Sequence, residues 1–129
     1  NSPSVEVWGT GTPKREFLYV DDLADACILL LKTLEASELE KNGITHINVG
    51  SGINQTIQEL ADTIRDVVGF EGQVNFDKTK PNGTLEKLLD ITVLSKMGWK
   101  PTKSLKDGLE KTYIWVKEQA EMNQSWALS

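Results

Sequence analysis

Leu23, Ala24, Ala26, Cys27, Ile28, Leu29, Leu30 and Leu31 form a helical stretch with almost no polar side. A helix that is apolar around its whole circumference needs burial on two sides. The chain has 129 residues, one domain's worth on the usual prior of roughly 100–200 residues per domain. A single small domain rarely covers both sides of such a helix. We therefore expect residues 1–129 to be one domain of a longer protein, with a further segment covering the second face. Left alone, the chain is expected to form a homo-oligomer through that face.

The remaining composition is that of an ordinary globular domain, 39% hydrophobic and 26% charged. No apolar run approaches the roughly 20 residues that cross a bilayer, so no membrane partner is expected. Nineteen acidic residues against fourteen basic ones give a net charge of −5. That balance argues against nucleic acid, which is gripped by clustered Lys and Arg. An anionic small molecule remains open, through a local basic patch. Cys27 is the single cysteine and cannot pair within the chain. In its apolar helical setting it is expected to be a buried, inert thiol, as suits a reducing cytoplasm. Asn1-Ser2-Pro3 reads as an internal boundary rather than a signal peptide.

Elements alternate along the chain. Residues 5–8 alternate in polarity and run into a Gly9-Thr10-Gly11-Thr12-Pro13 turn, predicting a strand and loop. Residues 16–20 form a second extended run, after which Asp21 is expected to cap the apolar helix. Residues 45–49 predict a strand, followed by Gly50-Ser51-Gly52. Thr56 and Glu59 have capping-box spacing ahead of a one-sided stripe (Ile57, Leu60, Ala61, Ile64, Val67, Val68) that Gly69 stops. Residues 73–76 predict a strand and 77–84 a polar loop. Asp90 opens a short helix ended by Gly98, and Ser104 caps the last helix. The class is α/β, with a small sheet and about four helices.

Several patterns that suggest chemistry have simpler explanations. Both glycine turns begin a dinucleotide fingerprint, but the third glycine that lets a helix approach its strand is replaced by Lys14 and Gln55. Tyr113 and Lys117 have the spacing of a short-chain dehydrogenase acid-base pair. Tyr113 lies on the packing stripe of the last helix, however, with no nucleotide fingerprint upstream, so we expect no catalytic role. His46 stands alone, and no cluster has metal-ligand spacing. What remains is a basic and aromatic set in loops: Trp8, Lys14, Arg15, Lys78, Lys80 and Lys87. An indole offers a flat face to a base, and a guanidinium can hold a phosphate by two parallel hydrogen bonds. Each residue also has an ordinary surface explanation.

The run from Val7 through Trp8-Gly9-Thr10-Gly11-Thr12-Pro13 and Arg15-Glu16-Phe17 to Val20, Asp21 and Asp22 resembles the extended short-chain dehydrogenases that act on nucleotide sugars. Its fuller form resembles the GDP-fucose synthase family. His46-Ile47-Asn48-Val49-Gly50, Lys80-Pro81-Asn82-Gly83-Thr84 with Lys87-Leu88-Leu89-Asp90, and residues 94–99 are similar as well. The resemblance implies the C-terminal, substrate-binding part of such an enzyme, with the Rossmann domain absent. It implies that Trp8, Arg15, Asn82 and Lys87 bind a GDP-sugar, Arg15 on the diphosphate. Asn82 stands where the family usually has aspartate. The glycine-rich NADP motif and the catalytic residues would lie in a preceding N-terminal domain, leaving none in this chain, which alone is expected to be inactive. The parent activity implied is NADPH-dependent epimerisation and reduction of GDP-4-keto-6-deoxymannose. The alternatives are the substrate domain of another nucleotide-sugar epimerase or reductase, and a free-standing nucleotide-sugar binding module.

Overall fold

The computed structural model describes residues 3–122. Their order is β1 (Ser4–Trp8), β2 (Lys14–Glu16), α1 (Val20–Thr33), α2 (Ala36–Lys41), β3 (Asn54–Thr56), α3 (Ile57–Val68), β4 (Gln73–Asp77), β5 (Glu86–Lys87), α4 (Thr92–Lys96) and α5 (Leu105–Met122). The strands make two small sheets. β1 pairs with β4 in parallel from Ser4–Gln73 to Trp8–Asp77. β2 is the centre of the other sheet, antiparallel to β3 and parallel to β5. The class is α/β as expected, with five helices among the described residues instead of about four, because residues 36–41 form a short helix.

Local signals placed α3 and α5 well, whereas α4 runs only from Thr92 to Lys96, with Ile91 rather than Asp90 at its N-cap. Thr56 and Glu59 form the capping box: the Thr56 hydroxyl accepts from the Glu59 amide at 3.0 Å, and the Glu59 carboxylate accepts from the Thr56 amide at 2.7 Å. Those contacts hold Glu59 below the usual carboxylate range, the Thr56 amide contributing most. Gly69 ends α3 in the left-handed conformation. Ser104 and Asp107 repeat the arrangement at α5, each side chain accepting from the other's amide.

Three expectations are corrected. Residues 45–49 form no strand, because no described strand lies alongside to take their backbone groups. Instead Asn48 Nδ2 donates to the Asp90 carbonyl at 3.1 Å. Asp21 does not cap α1: the helix begins at Val20, behind an extended Tyr19 that makes no side-chain cap. Cys27 is exposed rather than buried.

Asp22 explains much of that start. It is 3% exposed, with Oδ1 accepting from the Thr102 hydroxyl at 2.6 Å and amide at 3.1 Å, and Oδ2 from the Lys103 amide at 3.0 Å. Burial alone pushes its pKa up. The Thr102 and Lys103 hydrogen bonds, with the Lys103 charge, overcome that and hold it below the usual carboxylate range. Asp22 thus ties the first turn of α1 to the approach of α5.

Opposite that buried side, α1 carries a second apolar stripe. Ala26 is fully buried, whereas Leu23 (43%), Ile28 (49%) and Leu31 (84%) face outward, as do Val20, Ala24 and Cys27. Positions 20, 23, 24, 27, 28 and 31 share one helical face. On α5, Ile114 and Trp115 are also exposed. Among the described residues no helix is long and apolar enough to cross a membrane.

Candidate functional site

Two segments distant in sequence run side by side and carry all four expected site residues. Trp8 lies opposite Asp77 at the end of the β1–β4 ladder. The Gly9 amide then donates to the Asp77 carbonyl at 2.8 Å. Asn82 Oδ1 accepts from the Thr10 amide at 2.7 Å and the Thr10 hydroxyl at 3.0 Å. The Lys14 amide donates to the Leu85 carbonyl at 2.8 Å. Arg15 finally stands opposite Lys87 in the β2–β5 ladder. Trp8, Asn82, Arg15 and Lys87 therefore lie along one strip.

The sequence supports this close approach at Gly9. Its φ of 87° is a conformation L-residues avoid, and a Cβ there would collide with Asn82 Oδ1. The acceptor of Asn82 is thus engaged within the fold. An aspartate at the same place has the same acceptor for Thr10.

Charge along the strip is unbalanced. Residues directly opposite in a ladder share a face, so Arg15 and Lys87 are neighbouring cations. Arg15 Nη1 donates to the Lys14 carbonyl at 2.6 Å, one of five guanidinium donors. Among the described residues the ion pairs join Arg65 to Asp62 and Asp66, and Lys106 to Glu110. None involves Arg15, Lys80 or Lys87.

The nearby carboxylates are taken up elsewhere. Asp77 accepts from the Thr79 hydroxyl at 2.6 Å and amide at 2.9 Å, which hold it below the usual carboxylate range, the hydroxyl most. Glu86 accepts from Asn54 Nδ2. Glu16 accepts from backbone amides of two other segments. Trp8 is 66% exposed, with Lys80 Nζ 5.5 Å from its ring centroid. The strip therefore offers an indole face, a guanidinium and two amines, chemistry suited to a nucleoside diphosphate.

The other sequence candidates fall outside it. Neither glycine turn opens a helix directly: the first leads into β2 and the second into β3, so these residues do not make a dinucleotide pyrophosphate cradle. Lys117 Nζ lies 5.6 Å from the Tyr113 ring centroid on α5. No metal-binding cluster occurs among the described residues. A cleft of about 560 Å3 lies just past β5, lined by Leu88, Leu89, Ile91, Thr92 and Lys96 among others, and none of the four site residues lines it. Glu16 and Thr10 hold the strip together, and the sequence motif by itself gives neither a role. A charged residue inside the Arg15–Leu18 run is the only local hint at Glu16.

A family model described as the NAD dependent epimerase/dehydratase family matches residues 1–50. A putative GDP-L-fucose synthase 2 of Arabidopsis thaliana is 51% identical over 118 residues, 92% of this chain and 34% of the relative. The GDP-L-fucose synthase of Escherichia coli (strain K12) is 50% identical over 123 residues, 94% of this chain and 38% of the relative. Among solved structures, a GDP-mannoheptose C4 reductase from Campylobacter jejuni with NADP bound matches with a TM-score of 0.76 at 39% identity, over 88% of this chain and 35% of that one. The chain spans about a third of the length of the curated relatives it matches. Over most of its length the chain is thus similar to the C-terminal part of the GDP-L-fucose synthases, and its α/β architecture is similar to the matching part of the solved reductase.

Proposed function

We propose that this chain supplies the GDP-sugar grip of an NADPH-dependent epimerase-reductase that converts GDP-4-keto-6-deoxymannose to GDP-fucose. The observation that carries this is the register of β2 on β5, which sets Arg15 beside Lys87, with no carboxylate of the described residues in an ion pair with either. Like charges directly opposite in a ladder are destabilising, and a diphosphate between them relieves that repulsion. Arg15 takes the diphosphate by parallel hydrogen bonds, Lys87 adds a point charge, and Trp8 offers its ring to the base or sugar. Asn82 contributes its amide donors.

Catalytic groups and the NADP site belong, on this proposal, to the two thirds of the relatives' length that this chain does not span. That part forms the nucleotide-binding domain, supplies the second wall of the open strip, and docks on the outer stripe of α1. The hydride chemistry is the cofactor's, while this chain binds and orients the substrate. The 39% identity to a GDP-mannoheptose C4 reductase favours a second reading, reduction of a different GDP-sugar, which keeps the nucleotide and changes the sugar. The location that goes with this proposal is the cytoplasm.

The test is calorimetry on the full-length protein with GDP, UDP and dTDP. GDP should bind at least about tenfold more tightly than the other two, a difference of about 1.4 kcal/mol. Equal affinities would overturn the proposal. Turnover of GDP-4-keto-6-deoxymannose against a GDP-4-keto-heptose separates the two sugar readings.

A further inference from the structure

The geometry points to Glu16 as the positioning residue that sets Lys87 against Arg15, an inference that rests on the diphosphate role of that pair. Glu16 follows Arg15 on β2, and its carboxylate reaches two other segments. Oε1 accepts from the Gly52 amide and, at 3.4 Å, from the Ser51 hydroxyl. Oε2 accepts from the Leu89 amide at 3.1 Å. Leu89 is two residues past Lys87, so the carboxylate pins the exit of β5, a strand of only two residues. So short a ladder has few bonds of its own to hold register.

The Gly50–Gly52 turn is built to admit the carboxylate. Gly50 is buried, and a Cβ on it would come within 2.5 Å of Glu16 Oε1, closer than a carbon and an oxygen can approach. One side chain thus joins the β2 strand, the 50–52 turn and the β5 exit. The hydrogen bonds of its carboxylate go to protein groups, the Ser51 hydroxyl and the Gly52 and Leu89 amides. Its effect on binding runs through the relative position of Arg15 and Lys87.

Glutamine is nearly isosteric but has one acceptor oxygen and an NH2 group. It can serve Gly52 or Leu89, and its NH2 then faces the other amide donor to donor. In the full-length protein, Glu16→Gln should weaken GDP binding about tenfold by calorimetry, the loss expected for one charge-assisted hydrogen bond that orders a site. NADPH affinity, read by fluorescence, should stay within about twofold, since additivity holds for sites that share no partner. Glu16→Gln combined with Lys87→Ala should bind GDP no more than about twofold weaker than Lys87→Ala alone, because the two changes act on one interaction.

Gly50→Ala provides a second route, displacing the carboxylate without altering it, and should reproduce the GDP defect if Glu16→Gln does not fold. Independent, multiplying effects of Glu16→Gln and Lys87→Ala would overturn the inference. So would a parallel fall in GDP and NADPH affinity, which marks general damage. If Lys87→Ala weakens GDP and Glu16→Gln does not, Glu16 alone is wrongly assigned. If Arg15→Ala and Lys87→Ala both leave GDP affinity unchanged, the diphosphate site fails, and the Glu16 inference fails with it.

Discussion

Asn82 Oδ1 accepts hydrogen bonds from both the amide and the hydroxyl of Thr10, at 2.7 and 3.0 Å, across 72 residues of sequence. This contact fastens the turn after Trp8 to the loop before Lys87, and it sets what a change at Asn82 does. Asn82→Asp keeps the acceptor, so denaturant unfolding should show little loss of stability. Asn82→Ala leaves the part-buried Thr10 amide without its partner and should cost about 1–3 kcal/mol. Equal stability of both variants would show that the contact contributes nothing.

Arg15→Ala should weaken GDP binding by the full-length protein more than Lys87→Ala does. A forked, half-buried guanidinium holds a diphosphate in fixed geometry, and a charged hydrogen bond contributes about 1.5–3 kcal/mol. Lys87 is exposed and its amine is strongly hydrated, so its loss should be smaller. Arg15→Lys should recover little, because an ammonium cannot make two parallel bonds. Comparable small losses from both alanine variants would make Arg15 structural.

Asp22 has a folded-state pKa below its ordinary value. Its stabilising contribution is therefore present above the ordinary carboxylate pKa and is lost as pH falls through the lowered one. Asp22→Asn should destabilise the protein by about 1–3 kcal/mol near neutral pH, since it removes hydrogen bonds to a buried charge. The gap to wild type should close as the solution is taken to strongly acidic pH. Thermal unfolding across that range checks this, and a constant difference at every pH would contradict it.

The outer stripe of α1 should make residues 1–129, expressed alone, bind a hydrophobic dye and self-associate in light scattering. Leu31→Glu is the discriminating variant, because Leu31 is 84% exposed whereas Leu30 is half-buried. A charge at Leu31 should reduce association with little change in melting temperature. A clean monomer at high concentration with no dye binding would show that the stripe needs no cover.

Read alone, the sequence determined the features whose causes lie within a few residues. The Thr56–Glu59 and Ser104–Asp107 caps close over three positions, and the apolar excess on α1 signalled two faces before either was seen. The motif from Trp8 to Asp22, with the segments 80–84 and 87–90, carries the resemblance that names the four candidate residues. What spacing could not settle was partner choice across the fold. The alternation at 45–49 satisfies strand statistics, yet among the described residues no strand pairs with it. Asp22 looked like a helix-terminus charge, but it is buried and serves Thr102 and Lys103, 80 and 81 residues away. The pairing of Arg15 with Lys87, the hold of Asn82 on Thr10 and the reach of Glu16 to Leu89 are of the same kind. Each joins polar groups that could as well have bonded to water or to other partners. Only the folded chain decides which of them are brought within hydrogen-bond range.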